Sequence, residues 1–187
     1  MKMNLIMDFK TERLFIRPVE ICDKESIFLY RADPETNKYL SLIPQTVDDV
    51  EEFIKNTSFD LNVPGTWFQF VIIEKVSTEL IGDIGIHFLE TDSENKQVEI
   101  GYTLDSRFRG KGYATEALLV ILDFLITSLN KHRIIASIDP ANLASIKLIE
   151  RLGFRKEAHF RESLFFHVKW VDDLVYALLA RKWKEKH

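Results

Sequence analysis

Cysteine, glycine and proline are all scarce in this sequence. A single cysteine, Cys22, in 187 residues rules out an internal disulfide framework and fits a reducing compartment. Cys22 itself reads as a small hydrophobe in the first helix rather than as a nucleophile. Seven glycines and five prolines form no linker, and there is no repeat or low-complexity tract, so one domain over residues 1–187 is expected. No apolar run approaches the ~20 residues that a bilayer-spanning helix needs. The opening MKMNLIMDF carries one lysine and too short an apolar stretch for a secretory signal. These absences lead to the expectation of a cytoplasmic protein that meets no membrane. An excess of positive charge is also missing. Lys and Arg number 25 against 29 Asp and Glu, a formal net charge of −4, which gives no electrostatic reason to expect nucleic acid and mildly favours a cationic substrate. A hydrophobic content of 46% and a charged content of 29% exclude a disordered chain.

The chain is organised around residues 107–115, RFRGKGYAT. Before them, Val98, Ile100, Tyr102 and Leu104 alternate with Glu99, Gly101 and Thr103, the period of a strand with one face on a core. After them, Ala114, Ala117, Leu118, Ile121, Leu122, Leu125 and Ile126 recur at helical spacing. A helix start offers unpaired N–H groups and the positive end of its dipole, and glycines let a ligand approach the backbone closely. Strand, glycine loop and buried helix start therefore predict an anion site, most often one for phosphate. Arg107, Arg109 and Lys111 add to the local field.

The remaining elements follow from periodicity and turn chemistry. Residues 11–18 read as a first strand, and Asp23 as the N-cap of a short helix that Asp33-Pro34 stops. Thr46 caps the next helix. Strands over 66–74 and 80–88, with turns near Ser77-Thr78 and over 90–95, lead into the Glu99 strand, and short turns make all three antiparallel. Residues 133–138 form a strand that follows a helical crossover, so it is expected to run parallel to the Glu99 strand. A helix over 142–152 ends at Gly153, followed by a closing hairpin of 154–166 and 170–179 turning at His167-Val168-Lys169. The last stretch, LVYALLARKWKEK, also has good helix formers, and either assignment is open. The fold class is α/β: a mixed, mainly antiparallel central sheet containing one parallel pair.

Known phosphate loops narrow the ligand. The pattern G-x-x-x-x-G-K-[ST] is absent, and G-x-G-x-x-G/A is half met, with Thr115 where the third small residue belongs. The antiparallel first half also argues against a dinucleotide fold. By contrast, Arg107-x-x-Gly110-x-Gly112 fits Q/R-x-x-G-x-G/A and resembles the acyl-CoA pyrophosphate loop of the GNAT N-acetyltransferase superfamily. TERLFIRP, VEIGYTL, RFRGKGYATEAL, DPANLASIKLIERLGF and WVDDLVYALL, in that order over nearly the whole chain, resemble its branch of ribosomal-protein N-terminal acetyltransferases, the RimJ/RimL type.

The resemblance implies acetyl-CoA as donor, no metal, and a primary amine as acceptor, either a small molecule or a protein N-terminus, with direct transfer and no acyl-enzyme. It also implies that the parallel pair splays to admit the pantetheine arm. Arg109, Gly110, Lys111, Gly112, Tyr113 and Ala114 would hold the pyrophosphate, Leu104 would pair with the pantetheine, and Asn142 would touch it or order the site. Glu99 is the candidate base, and the turn near Ser93 predicts His87 opposite it. Many superfamily members carry a tyrosine seven residues after the asparagine; here Ile149 stands there. The RimL-type branch uses a serine three residues after it, and Ser145 is present. Each has an ordinary alternative: a solvated sheet glutamate, a strand histidine, a plain N-cap, a small helix residue. Trp67, Phe68, Phe70, Trp170 and Tyr176 read as core, Asp172 and Asp173 as a solvated turn, and ARKWKEKH as a solvated basic tail. A homodimer is an analogy with the branch. A binding-only acyl-CoA regulator and a nucleotide-dependent oxidoreductase are the competing functions.

Overall fold

The structure, a computed structural model, describes residues 7–91, 93–166 and 168–186. Its centre is an eight-stranded sheet: β1 (Phe9–Lys10), β2 (Leu14–Pro18), β3 (Trp67–Glu74), β4 (Leu80–Phe88), β5 (Gln97–Leu104), β6 (Arg133–Ile138), β7 (Arg155–Phe166) and β8 (Lys169–Leu179). The spatial order is β1-β2-β3-β4-β5-β6-β8-β7. Every neighbouring pair is antiparallel except β5 and β6, which run parallel as the intervening helix requires.

One face of β2 to β6 presents Leu14, Ile16, Phe68, Phe70, Ile84, Ile86, Val98, Ile100, Ile134 and Ala136. It is covered by α4 (Tyr113–Asp123), which buries Ala117, Leu118, Ile121 and Leu122, and by α5 (Leu143–Arg151), which buries Leu148 and Ile149. Five more residues, Phe124–Ser128, extend α4 as a π-turn, so the apolar run to Ile126 is helical but not α-helical throughout. On the other face, α1 (Lys24–Arg31) and α3 (Val47–Lys55) pack Ile27, Tyr30, Val50 and Ile54 against Val71. Thr46 caps α3 through the Asp49 N–H, and Asp49 returns the bond to the Thr46 N–H. Gly153, at φ 96°, closes α5, with the Phe154 N–H donating back to Ile149 O at 3.1 Å.

Several expectations need correction. Asp23 is not the side-chain cap of α1. It ends a 3₁₀ turn, Ile21–Asp23, and accepts a two-pronged ion pair from Arg17 at 2.7 and 2.8 Å. Cys22 is exposed in that turn rather than placed among core side chains. Asp33-Pro34 ends α1 but also opens a four-residue helix, α2 (Pro34–Asn37), whose Thr36 N–H Asp33 caps. The C-terminal stretch uses both open assignments: β8 runs to Leu179 and α6 (Ala180–Lys186) follows. Its Trp183 is buried and donates to Asp123, so that tail is not simply solvated. Trp67 and Trp170 are exposed, whereas Phe68, Phe70 and Tyr176 are core as expected. Asp172 and Asp173 lie within β8, not in a turn. Asp92 and His167, in two of the expected turns, lie outside the described residues. Among the described residues no helix is long and apolar enough to cross a membrane.

Candidate active site

The parallel ladder between β5 and β6 is short. Gln97, Val98 and Glu99 pair with Arg133, Ile134 and Ile135, and the pairing stops there, although β5 continues to Leu104 and β6 to Ile138. On its other edge β5 stays paired to β4 as far as Leu104. Beyond Glu99, β5 therefore has an edge that β6 no longer pairs, and a gap opens between the two strands. Backbone donors and acceptors along such an edge are what an extended, amide-bearing ligand can pair with.

The gap ends at the glycine loop. Asp105 starts it, accepting the Arg107 N–H at 2.9 Å and holding a 3₁₀ turn, Ser106–Phe108. Gly110 and Gly112 have φ of 74° and 84°, where other residues are strained. Gly112 is the N-cap of α4, and nothing lies within 4 Å of where a Cβ on Gly110 would stand. The start of α4 thus lies beside a glycine with open space around it, and a helix start of this kind fits a pyrophosphate.

The three loop cations do not act alike. Arg107 is engaged by Asp105 and Glu79. Arg109 donates to the carbonyl oxygens of Leu104, Glu35 and Thr36, which ties the loop to α2. Lys111 lies over the Phe108 ring at 5.2 Å. Sequence reasoning missed the cation that holds the loop. Arg13 donates to the carbonyl oxygen of Lys111 at 2.9 Å, pairs with Glu116 at 2.6 Å and covers the Tyr113 ring at 4.5 Å. Thr11 and the Arg13 N–H also donate to Glu116. Burial pushes the Glu116 carboxyl up, but these donors outweigh it and hold it below the usual carboxylate range. The only signal for Arg13 was its place in TERLFIRP, since no local pattern links it to a loop 98 residues away.

Across the gap stands the start of α5. Asn142 caps it, its Oδ1 accepting the Ser145 N–H at 3.1 Å. The cap uses only Oδ1, so the Nδ2 donors are not committed to it. Tyr102 reaches from β5 to the Ser145 carbonyl at 3.5 Å, and burial pushes its phenol up to about 12. Tyr102 therefore stays a neutral donor in any ordinary buffer.

Glu99 faces the other side of the sheet. Across β4 its partner is His87, with Nδ1 to Oε2 at 3.8 Å, and across β3 the next partner is Trp67. Burial raises the Glu99 carboxyl above its ordinary range, His87 lowers it and Asp173 raises it. Asp173 accepts from the Ser137 hydroxyl at 2.6 Å. Beside Glu99, a Cβ placed on Gly101 would meet nothing within 4 Å, so there is open room over the strand at the edge of the gap. Further along this face, buried Asp83 accepts from Tyr30, from Arg31 at 2.8 Å and from Gln69 at 2.7 Å, fixing the helices to the sheet. The structure thus gathers Glu99, Leu104 and the loop 109–114 along one strand and its exit. Ser145 is joined to the same strand through its carbonyl oxygen and Tyr102, and Asn142 caps the helix that carries it.

The model of a family described as "Acetyltransferase (GNAT) domain" matches residues 13–155. An uncharacterized N-acetyltransferase, p20, from Bacillus licheniformis is 37% identical over 174 residues, covering 92% of this chain and 96% of its own. The [ribosomal protein uS5]-alanine N-acetyltransferase of Escherichia coli strain K12 is 29% identical over 119 residues, covering 64% of this chain and 61% of its own. Among solved structures, an acetyltransferase (GNAT family) from Bacillus anthracis superimposes with a TM-score of 0.81 at 30% identity, covering 94% of this chain and 99% of its own.

Proposed function

The chain belongs to the GNAT acetyltransferase family and is an N-acetyltransferase, and on that premise we propose that transfer takes place in the gap between β5 and β6. The observation that carries this reading is the end of the β5–β6 ladder at Glu99, directly upstream of the glycine loop. Acetyl-CoA is the family's co-substrate, and its thioester supplies the electrophilic carbonyl carbon. Backbone N–H groups of residues 109–114 bind its pyrophosphate, with Gly110 and Gly112 giving the clearance. Leu104 and its neighbours on the free edge of β5 pair with the pantetheine amides, and Asn142 donates to the same arm.

Glu99 removes the proton from the incoming ammonium, directly or through a water, over the open space at Gly101. A carboxyl raised by burial suits that task, because it accepts a proton more readily than an exposed one. A backbone N–H near Tyr102 donates to the carbonyl oxygen as negative charge builds there. Ser145 hydrogen-bonds the departing sulfur from the α5 side, and no acyl-enzyme forms. Base and leaving-group partner lie on opposite faces of the sheet, which matches attack from one side and departure on the other.

The acceptor is a primary amine, a protein N-terminus or a small amine. The Escherichia coli relative, named for the alanine of a ribosomal protein, supports a peptide N-terminus as the first class to try. A cytoplasmic location is supported by the single cysteine, which is exposed and has no second thiol in the chain to pair with. The continuous sheet from β1 to β7 supports a single domain. Thermal unfolding with acetyl-CoA, and with NAD and ATP as controls, tests the reading. At about 100 times its dissociation constant a ligand adds roughly 2.7 kcal/mol. A shift with acetyl-CoA alone is expected, and a shift only with NAD or ATP would overturn the loop assignment.

A further inference from the structure

A row of three side chains crosses the sheet beside the proposed base. Trp67, His87 and Glu99 occupy directly opposed positions on β3, β4 and β5. The indole and imidazole are stacked, with centroids 4.8 Å apart and planes 8° apart. Gly85 makes the stack possible. A Cβ there would lie 3.2 Å from Trp67 Cε3 and Cζ3 and 2.8 Å from Gln69 Oε1, and Gln69 is itself held by Asp83. The missing side chain lets the indole lie down over β4 and fix the imidazole plane.

We propose that His87, held by Trp67 over Gly85, is a positioning and proton-carrying partner of Glu99 that passes the acceptor's proton to solvent. The inference rests on Glu99 being the base. Each turnover would leave a proton on Glu99, whose side chain is 31% exposed before a substrate covers the space over Gly101. The row offers a sideways exit, with His87 28% exposed in its side chain and Trp67 41% exposed. An imidazole suits the task because imidazoles as a class exchange protons near neutral pH.

The proton balance closes without a co-reactant. The ammonium N–H bond breaks as an O–H bond forms on Glu99. That O–H then breaks as N–H forms at His87 Nδ1, and the imidazolium releases its Nε2 proton to water; uptake of one solvent proton at Nε2 and loss of one from Nδ1 to the bridging water then restore the starting tautomer. At 3.8 Å the pair is an ion-pair contact rather than a direct hydrogen bond, so one water or a carboxylate rotation completes the path.

Among the described residues, the titratable groups acting on Glu99 are His87 from β4 and Asp173 from β8; Trp67 on β3 is uncharged, and Ser137 on β6 serves Asp173. Removing the imidazole leaves burial and Asp173 unopposed. In His87→Ala the Glu99 carboxyl, followed by its ¹³C signal, is therefore expected to titrate at higher pH. The acid limb of kcat, measured with an N-terminal alanyl peptide and with spermidine, is expected to move the same way. We expect kcat near neutral pH to fall by about 10-fold, with added imidazole restoring part of it. Trp67→Phe should keep the pH profile and Trp67→Leu should shift it toward that of His87→Ala. An unchanged Glu99 titration in His87→Ala, or a uniform loss of rate with no pH shift and no rescue, overturns the relay. Glu99→Gln separates the two levels: full turnover in that variant defeats the base assignment itself, whereas loss of turnover beside an unchanged His87→Ala profile defeats only the relay.

Discussion

Arg13 donates to the carbonyl oxygen of Lys111 at 2.9 Å, joining the start of β2 to the middle of a loop that lies 98 residues further along the chain. Glu116, on the first turn of α4, holds the same guanidinium at 2.6 Å. The loop's shape thus depends on a residue that touches no proposed ligand atom. Replacing Arg13 by Ala is expected to raise the acetyl-CoA dissociation constant by roughly 10-fold while kcat at saturation changes little, because only uniform binding is lost. Lysine should rescue poorly, since it lacks the planar fork that serves Lys111 and Glu116 together. Calorimetric titration checks both variants.

The two loop glycines differ in what surrounds them. A methyl group on Gly112 would stand 3.3 Å from Arg13 Nη2, whereas one on Gly110 would meet nothing within 4 Å. Both positions carry left-handed backbone strain for alanine, about 1–2 kcal/mol. Gly112→Ala should therefore lower the melting temperature of the ligand-free protein more than Gly110→Ala. Equal melting temperatures for the two variants would mean that Arg13 moves aside freely.

Asp83 supplies a stability test away from the chemistry. It is buried with Arg31, Tyr30 and Gln69 as its donors. Asp83→Ala leaves a buried guanidinium without its partner, a change that typically destabilises by about 3–5 kcal/mol. For a chain of this size each kcal/mol corresponds to roughly 2–4 °C. Calorimetry should show a fall of about 10 °C, with the loss lying in α1 docking on the sheet.

The pH dependence of stability has opposite signs at two glutamates. Glu99 is raised in the folded state, so the folded chain binds its proton more tightly than the unfolded chain does. Its contribution is fully present below the unfolded glutamate value and is lost as pH rises through the folded value. Glu116 is lowered, so its contribution is present above the unfolded value and is lost as pH falls through the folded one. Denaturant melts from pH 3 to 8 should show Glu99→Gln removing the first dependence and Glu116→Gln the second.

Much of this was legible because it is written locally. Alternation in VEIGYTL placed β5, and the turn near Ser93 set His87 opposite Glu99, as the register has it. Thr46 and Gly153 announced a helix start and a helix end through their own chemistry. What stayed hidden depends on partners distant in sequence. Asp23 looks like a cap until Arg17 claims it. Trp183 sits in a basic run, and nothing in that run announces its hydrogen bond to Asp123 of α4. Trp67 has the composition of a core residue, but its strand position puts it on the face where Gly85 leaves room for a flat indole. Charge counting also says nothing of where the loop cations reach: Arg107 pairs with Asp105, and Arg109 donates to carbonyl oxygens of α2.

The claim at the centre is that Glu99, where the β5–β6 ladder ends, takes the proton from the amine. The most direct measurement is turnover and acetyl-CoA binding on one preparation of Glu99→Gln, using thiol release with the alanyl peptide and spermidine as acceptors. The account predicts that kcat falls by about 100-fold or more while the acetyl-CoA dissociation constant stays within about 2-fold of the parent value. Turnover equal to the parent's, with binding intact, would contradict it and move the base to another group on the same face.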